Sequence, residues 1–303
     1  LYCFAGGIRA SIWTDIAQSF VMIIAMCLMV IFGVKELGGM SNFLNDLQNI
    51  SPNYMKLFPS SNFSDYFFAP FLFIMGWVFS GIGVIGQPHV MIRFMAINNA
   101  DNIPQTRVYY YGWYISFYML TICAAFVARL LIPETNNLDP ELALPMLATK
   151  LLPEFLVGIV LAGIFAAAMS TADSQILSCT ASITNDLFSN KKNNYLFNKV
   201  ITLIVTLLVV TIAVNDNKNV FNLVLISWST LACCFSPILI IYSLKQKITQ
   251  FLSIMMMVIP LITLHTWRYF ELNILIYEVA PGIMSGIITF FIHKYYIKFL
   301  YKR

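Results

Sequence analysis

Eight separate stretches of this chain are mostly apolar and read as helices that cross a bilayer; a crossing takes roughly 20 residues, and two of the stretches fall short of that length. They run Ser11–Val34, Tyr66–Gln87, Tyr109–Ile132, Glu154–Ile176 with a continuation to about Asp186, Val200–Val214, Val220–Leu244, Phe251–Thr266 and Ile274–Ile297. Only 11% of the 303 residues are charged and 59% are hydrophobic, whereas a water-soluble domain carries about 25% charged residues. The chain is therefore expected to be all-α, a polytopic membrane protein with eight transmembrane helices in one domain, residues 1–303.

An even number of spans puts both termini on one side. On the N-terminal side lie twelve basic residues, from Arg9, Arg93 and Arg107 to Lys302 and Arg303; the other side has six, Lys35, Lys56, Arg129, Lys150, Lys218 and Arg268. The positive-inside rule then places both termini in the cytoplasm, and the chain is expected to be a multi-pass protein of the plasma membrane, the inner membrane of a bacterium. No basic stripe with interleaved aromatics suggests nucleic acid. The six cysteines show no metal-ligand or disulfide spacing and read as buried free thiols. The first residue is Leu1 and no signal-peptide pattern is seen after it, so the chain is expected to start partway into its fold.

Function in a bilayer concentrates where a span stops being an uninterrupted apolar helix. The second span ends Ser80-Gly81-Ile82-Gly83-Val84-Ile85-Gly86-Gln87-Pro88, a density of helix breakers that predicts a broken helix. Unpaired backbone at membrane depth is tolerated where it lines protein or a watery cavity, and such breaks build transporter binding sites. The competing reading is close packing of small residues against a neighbour. The fourth span contains Ala167, Ser170, Thr171, Asp173 and Ser174, which share less than half the helix circumference at roughly 100° per residue. A carboxylate inside a span costs several kcal/mol unless it faces a cavity, partner or ion, and hard cations take oxygen ligands. The alternative is that the hydroxyls bond back to carbonyls one turn earlier. Trp13-Thr14-Asp15 opens the first span and reads either as an interfacial tryptophan with a helix-start carboxylate or as part of an ion site. No Ser/His/Asp set, metal triad or phosphate loop argues for an enzyme.

Gly6-Gly7-Ile8-Arg9-Ala10 with Trp13-Thr14-Asp15 and Gln18, then Gly86-Gln87-Pro88-His89 with Arg93-Phe94-Met95-Ala96, resemble the sodium:solute symporter family. So do Met169 to Gln175 with Thr184-Asn185-Asp186-Leu187, then Trp228 and Pro237, and Tyr277-Glu278-Val279-Ala280-Pro281-Gly282. The motifs follow one another in the family's order from Gly6 to about Gly286, and among its members the chain resembles the sodium/proline symporters.

The resemblance implies a partial LeuT-type fold of inverted repeats that lacks the first four helices of repeat one, with the missing N-terminal half needed for activity. It also implies Na+ as coupling ion and symport of a small organic solute, proline or a related amino acid, by alternating access. Positions matching the main sodium site are Ala167, Ser170 and Thr171; those matching a second sodium site are Asp15, Ser170, Asp173 and Ser174. The solute would meet Trp77, Ser80, Gly81, Gly83 and Val84. The chain departs from the proline symporters, which carry a Trp and, four residues later, a Tyr where it has Ser80 and Val84, and it has Ser229, Thr230, Cys233 and Cys234 where the family favours Gly and Ala. Two other outcomes are open on the sequence: a membrane sensor serving as input domain of a signalling protein, and a nonfunctional truncated remnant.

Overall fold

The structure is a computed structural model that describes residues 2–56, 67–132, 139–188, 190, 194–215, 220–274 and 276–300. All regular structure among them is helical. The helices are α1 (Tyr2–Glu36), α2 (Met40–Ile50), α3 (Ala69–Ile82), α4 (Pro88–Met95), α5 (Ile103–Leu131) and α6 (Ala143–Leu151). Then come α7 (Glu154–Ala181), α8 (Tyr195–Asn215), α9 (Val220–Ser243), α10 (Gln250–Tyr269) and α11 (Val279–Leu300).

Seven spans among the described residues are long and apolar enough to cross a membrane: Gly6–Glu36, Ala69–Gly86, Ala100–Leu131, Glu154–Leu187, Tyr195–Asn215, Val220–Ser243 and Gln250–Tyr269. The stretch read as an eighth span is the helix α11, whose last third carries His293, Lys294 and Lys298 and so falls in hydropathy. It begins at Val279 because a 3-10 turn, Leu272–Ile274, precedes it. Tyr66, the expected start of the second span, lies outside the described residues. Local chemistry sets other ends earlier than the apolar runs suggest. Pro104 opens α5 in its first turn, and the Asn194 carboxamide accepts from the Phe197 N–H to open α8.

The helices group into two compact units. The first holds Leu1–Leu57 and Ile97–Val210. Its core joins Ala25, Met26 and Met29 of α1 to Phe43 and Leu47 of α2, Ala124 and Val127 of α5, Leu147 and Ala148 of α6 and Val160 of α7. The two short helices α2 and α6 are each held by buried apolar residues one turn apart or adjacent. Glycines set the spacing. A Cβ on Gly33 of α1 would fall 2.2 Å from Val127 Cγ1 of α5, and one on Gly163 of α7 would fall 2.6 Å from Ala25 Cβ of α1.

The second unit holds Phe58–Ala96 and Thr211–Arg303. Gly282 and Gly286, one turn apart on α11, lie against Cys233 and Pro237 of α9, and Gly286 also meets Pro260 of α10. Small residues at this spacing let backbones approach where apolar burial gives no drive in lipid. Ile238, Ile241, Leu252, Met256 and Phe290 fill one core, and Ala232, Val279 and Ile283 another. The thiols differ from the sequence reading: Cys233 is buried, Cys179 is exposed, and Cys27, Cys123 and Cys234 are half-buried.

Candidate functional site

In the second unit, α3 is regular to Ile82, tightens to a 3-10 turn over Gly83–Gly86, and becomes extended at Gln87 before α4 begins at Pro88. The break is fastened to α9 by three side chains. Trp228 Nε1 donates to the Ser80 carbonyl at 3.3 Å, Ser236 Oγ to the Gly83 carbonyl at 3.5 Å, and Gln87 Nε2 to the Trp228 carbonyl at 3.0 Å. Gly83 and Gly86 face the same helix. A Cβ on Gly83 would lie 2.7 Å from Ala232 Cβ, and one on Gly86 would lie 2.5 Å from Ser236 Oγ.

The break is present, and the packing reading holds at two of its glycines. Gly83 and Gly86 serve packing, whereas a Cβ on Gly81 would meet nothing within 4 Å. Trp77 and Gly81 are exposed, and Ser80 and Val84 half-buried. At roughly 100° per residue, Trp77, Ser80, Gly81 and Val84 share a stripe about 100° wide, and Gly83 lies outside it.

In the first unit, the end of α1 (Val30, Val34) and the start of α7 (Leu156, Val157, Val160) share one core, so the two helices run antiparallel. Gly163 opposite Ala25 fixes their register. Counting the same ten residues along each helix sets Asp173 opposite Asp15. On α1 the face Ser11, Asp15, Gln18, Met22, Ala25 and Met29 repeats at alternating four- and three-residue steps, the spacing of one helix seam. On α7, Ser170, Asp173 and Ser174 lie within about 80° of Gly163. The seam is apolar where Met29 and Ala25 meet Val160 and Gly163, and oxygen-rich at its other end. Asp173 and Ser174 are 8% and 6% exposed.

The hydroxyls bond within α7. Thr171 Oγ1 donates to the Ala167 carbonyl at 3.1 Å, and Ser174 Oγ donates to the Ser170 carbonyl and lies 3.3 Å from Asp173 Oδ1. Back-bonding, the alternative raised for Ser170 and Thr171, is thus present at Thr171 and also at Ser174. A hydroxyl that donates its proton keeps its lone pairs, whereas the Ala167 and Ser170 carbonyls each accept both such a hydroxyl and the helical N–H one turn on. Thr171 is exposed, and Ala167 and Ser170 are half-buried. Sequence reasoning passed over Gln18 as a site residue; its Oε1 is buried with no hydrogen-bond partner among the described residues. It missed Trp228 and Ser236 as fasteners of the break, although Trp228 was visible as a polar-tipped aromatic inside a span.

The profile of the sodium:solute symporter family matches residues 1–271. The chain belongs to the sodium:solute symporter family. Relatives within this family include the sodium/proline symporter of Escherichia coli, 28% identical over 299 residues, which cover 94% of the chain and 58% of the relative. The high-affinity proline transporter of Bacillus subtilis is 24% identical, with 96% of the chain and 62% of the relative covered. The sodium/proline symporter 2 of Staphylococcus saprophyticus is 28% identical, with 97% and 60% covered. The chain spans about three fifths of the length of these curated relatives. No solved structure matches the chain significantly.

Proposed function

We propose that this symporter-family chain forms part of a sodium-coupled secondary transporter that carries proline or a related amino acid by alternating access. The oxygen-rich end of the α1–α7 seam carries the reading. Buried carboxylate and hydroxyl oxygens in membrane helices are costly unless compensated, and a hard cation is the compensation this oxygen set suits. Sodium is nearly the size of calcium, which takes oxygens at 2.3–2.6 Å; neighbouring ligands at such distances lie roughly 3–3.5 Å apart. Thr171 Oγ1 and the Ala167 carbonyl are 3.1 Å apart.

Ala167, Ser170 and Thr171 would hold the main sodium ion, and Asp15, Ser170, Asp173 and Ser174 a second, with Gln18 Oε1 as a further oxygen. The solute would lie on the Trp77, Ser80, Gly81 and Val84 stripe of α3. In this reading the fold is of the LeuT type, α11 is the eighth span, and both ends of the chain are cytoplasmic. A bound sodium shifts the outward–inward equilibrium only by its difference in affinity for the two states.

The test uses the full-length parent in proteoliposomes, with L-proline uptake driven by an inward sodium gradient. Ser170→Ala and Thr171→Ala should each raise the sodium concentration for half-maximal uptake, about tenfold for loss of roughly 1.4 kcal/mol of ion binding. Unchanged sodium dependence in both variants removes the main-site assignment; uptake driven equally by a proton gradient removes sodium coupling.

A further inference from the structure

Trp77 is half exposed, and one face of its indole is already covered. The Tyr277 ring lies against it at 5.6 Å between centroids and 14° between planes, inside the range of stacked aromatic pairs. The two residues are far apart in sequence but belong to the same unit. The contact depends on Gly76, where a Cβ would fall 2.9 Å from the Tyr277 backbone nitrogen, so α3 rests on the chain segment itself.

That segment, Ile276 to Glu278, is pinned on both sides of Tyr277. Trp267 Nε1 donates to the Ile276 carbonyl at 3.0 Å. Arg268 donates through Nε at 3.0 Å and through a terminal nitrogen to Glu278 Oε1. The same guanidinium donates to Ser229 Oγ of α9 at 2.7 Å. Glu278 is 3% exposed, so removing one partner of the pair would strand the other in a buried site. Arg268 was read as a loop cation and is instead the hub joining α9, α10 and the entry to α11. Ser229, one of the departures from the family's Gly and Ala, is the third member.

We propose that Tyr277 is a positioning residue for the solute site: fixed by the Arg268–Glu278–Ser229 cluster, its ring sets the orientation of Trp77 and through it the affinity for solute. This rests on the functional reading given above, in which the uncovered face of Trp77 meets the solute. The cluster touches no solute itself and acts through a rigid segment and one stacked ring.

Two measurements on the full-length parent test it. Fluorine NMR of protein labelled with 5-fluorotryptophan, the Trp77 signal assigned by its loss in Trp77→Phe, reports orientation without any transport assay. Tyr277→Leu should move that signal, Tyr277→Phe should leave it close to its original position, and Glu278→Gln and Ser229→Ala should move it although neither touches Trp77. L-proline uptake in proteoliposomes reports the consequence. Tyr277→Leu should raise KM about three- to tenfold, the worth of one aromatic pair, with maximal rate within about twofold, and Tyr277→Phe should restore most of the loss. A Trp77 signal unmoved by Glu278→Gln and Ser229→Ala overturns the positioning chain. Should Tyr277→Leu fail to accumulate, Ser229→Ala decides alone. Absence of proline uptake by the unmutated parent would count against the functional reading, and the NMR result would still stand or fall by itself.

Discussion

Gly163 of α7 faces Ala25 of α1 so closely that a β-carbon on the glycine would lie 2.6 Å from the alanine's and 3.4 Å from the Val21 carbonyl oxygen. This contact sets the distance between the two helices and places the polar residues about two to three turns further along them across the same seam. In lipid such packing substitutes for the hydrophobic drive that operates in water.

Gly163→Leu should therefore force α1 and α7 apart at a cost of about 1–3 kcal/mol or more. The measurement is thermal unfolding of the detergent-purified full-length protein, with the midpoint expected to fall. Sodium binding should weaken in parallel, because the seam residues sit two to three turns away. A variant that keeps both midpoint and sodium affinity would contradict the register.

Asp15→Asn and Asp173→Asn are expected to change sodium coupling. Each removes one carboxylate from the oxygen-rich seam, and the loss of about 1.4 kcal/mol of ion binding is a tenfold weaker affinity. Gln18→Leu should act in the same direction and more weakly, since a neutral amide is a poorer cation ligand than a carboxylate. Simultaneous measurement of sodium and solute flux gives the ions moved per solute. If that ratio and the sodium affinity both stay at the parent values in the aspartate variants, neither residue is a ligand.

Trp228→Phe removes the indole donor to the Ser80 carbonyl, and Gln87→Met removes the amide donor to the Trp228 carbonyl. Loss of one such hydrogen bond costs about 0.5–1.5 kcal/mol. The loss is local to the 3-10 turn, so backbone amide exchange across Gly83–Gln87 should accelerate while exchange in α5 and α7 stays as it was. Uniform acceleration throughout the protein would mean that these bonds hold the whole fold rather than the break.

How much of this could be seen in advance follows from the kind of signal each feature leaves. The membrane helices were legible because an apolar run of membrane length is a local property, and the break after Ile82 because Gly81, Gly83, Gly86 and Pro88 crowd nine residues. The stripe on α7 was legible from periodicity. The direction of its hydroxyl protons was not, because a threonine bonded to the carbonyl one turn back and one turned to an ion have the same spacing. Arg268 and Glu278 were illegible as a pair: ten residues apart across a helix–turn–helix, each is ordinary at a helix end, and only the turn brings them together. The Trp77–Tyr277 stack was illegible for the stronger reason that nothing local links α3 to the start of α11. Which of the glycines in the break serve packing required knowing where α9 lies.

Those glycines give the sharpest contrast. A methyl group on Gly86 would meet Ser236 Oγ at 2.5 Å and the backbone of Ala232 and Leu231 at 3.0 Å, and backbone cannot step aside; Gly86→Ala should cost about 1–3 kcal/mol and lower the amount of folded protein in the membrane. A methyl on Gly81 would meet open space, and replacing a helical glycine with alanine stabilises by up to about 1 kcal/mol. Gly81→Ala should thus match or exceed the parent's thermal midpoint. It should nonetheless raise KM for solute, because the added methyl projects from the stripe that also carries Trp77 and Val84. Thermal unfolding and uptake kinetics on the two variants separate the roles. If Gly81→Ala transports with unaltered KM, the solute does not rest on that stripe; if Gly86→Ala is as stable as the parent, the tight turn is not held against α9 in the way its contacts require.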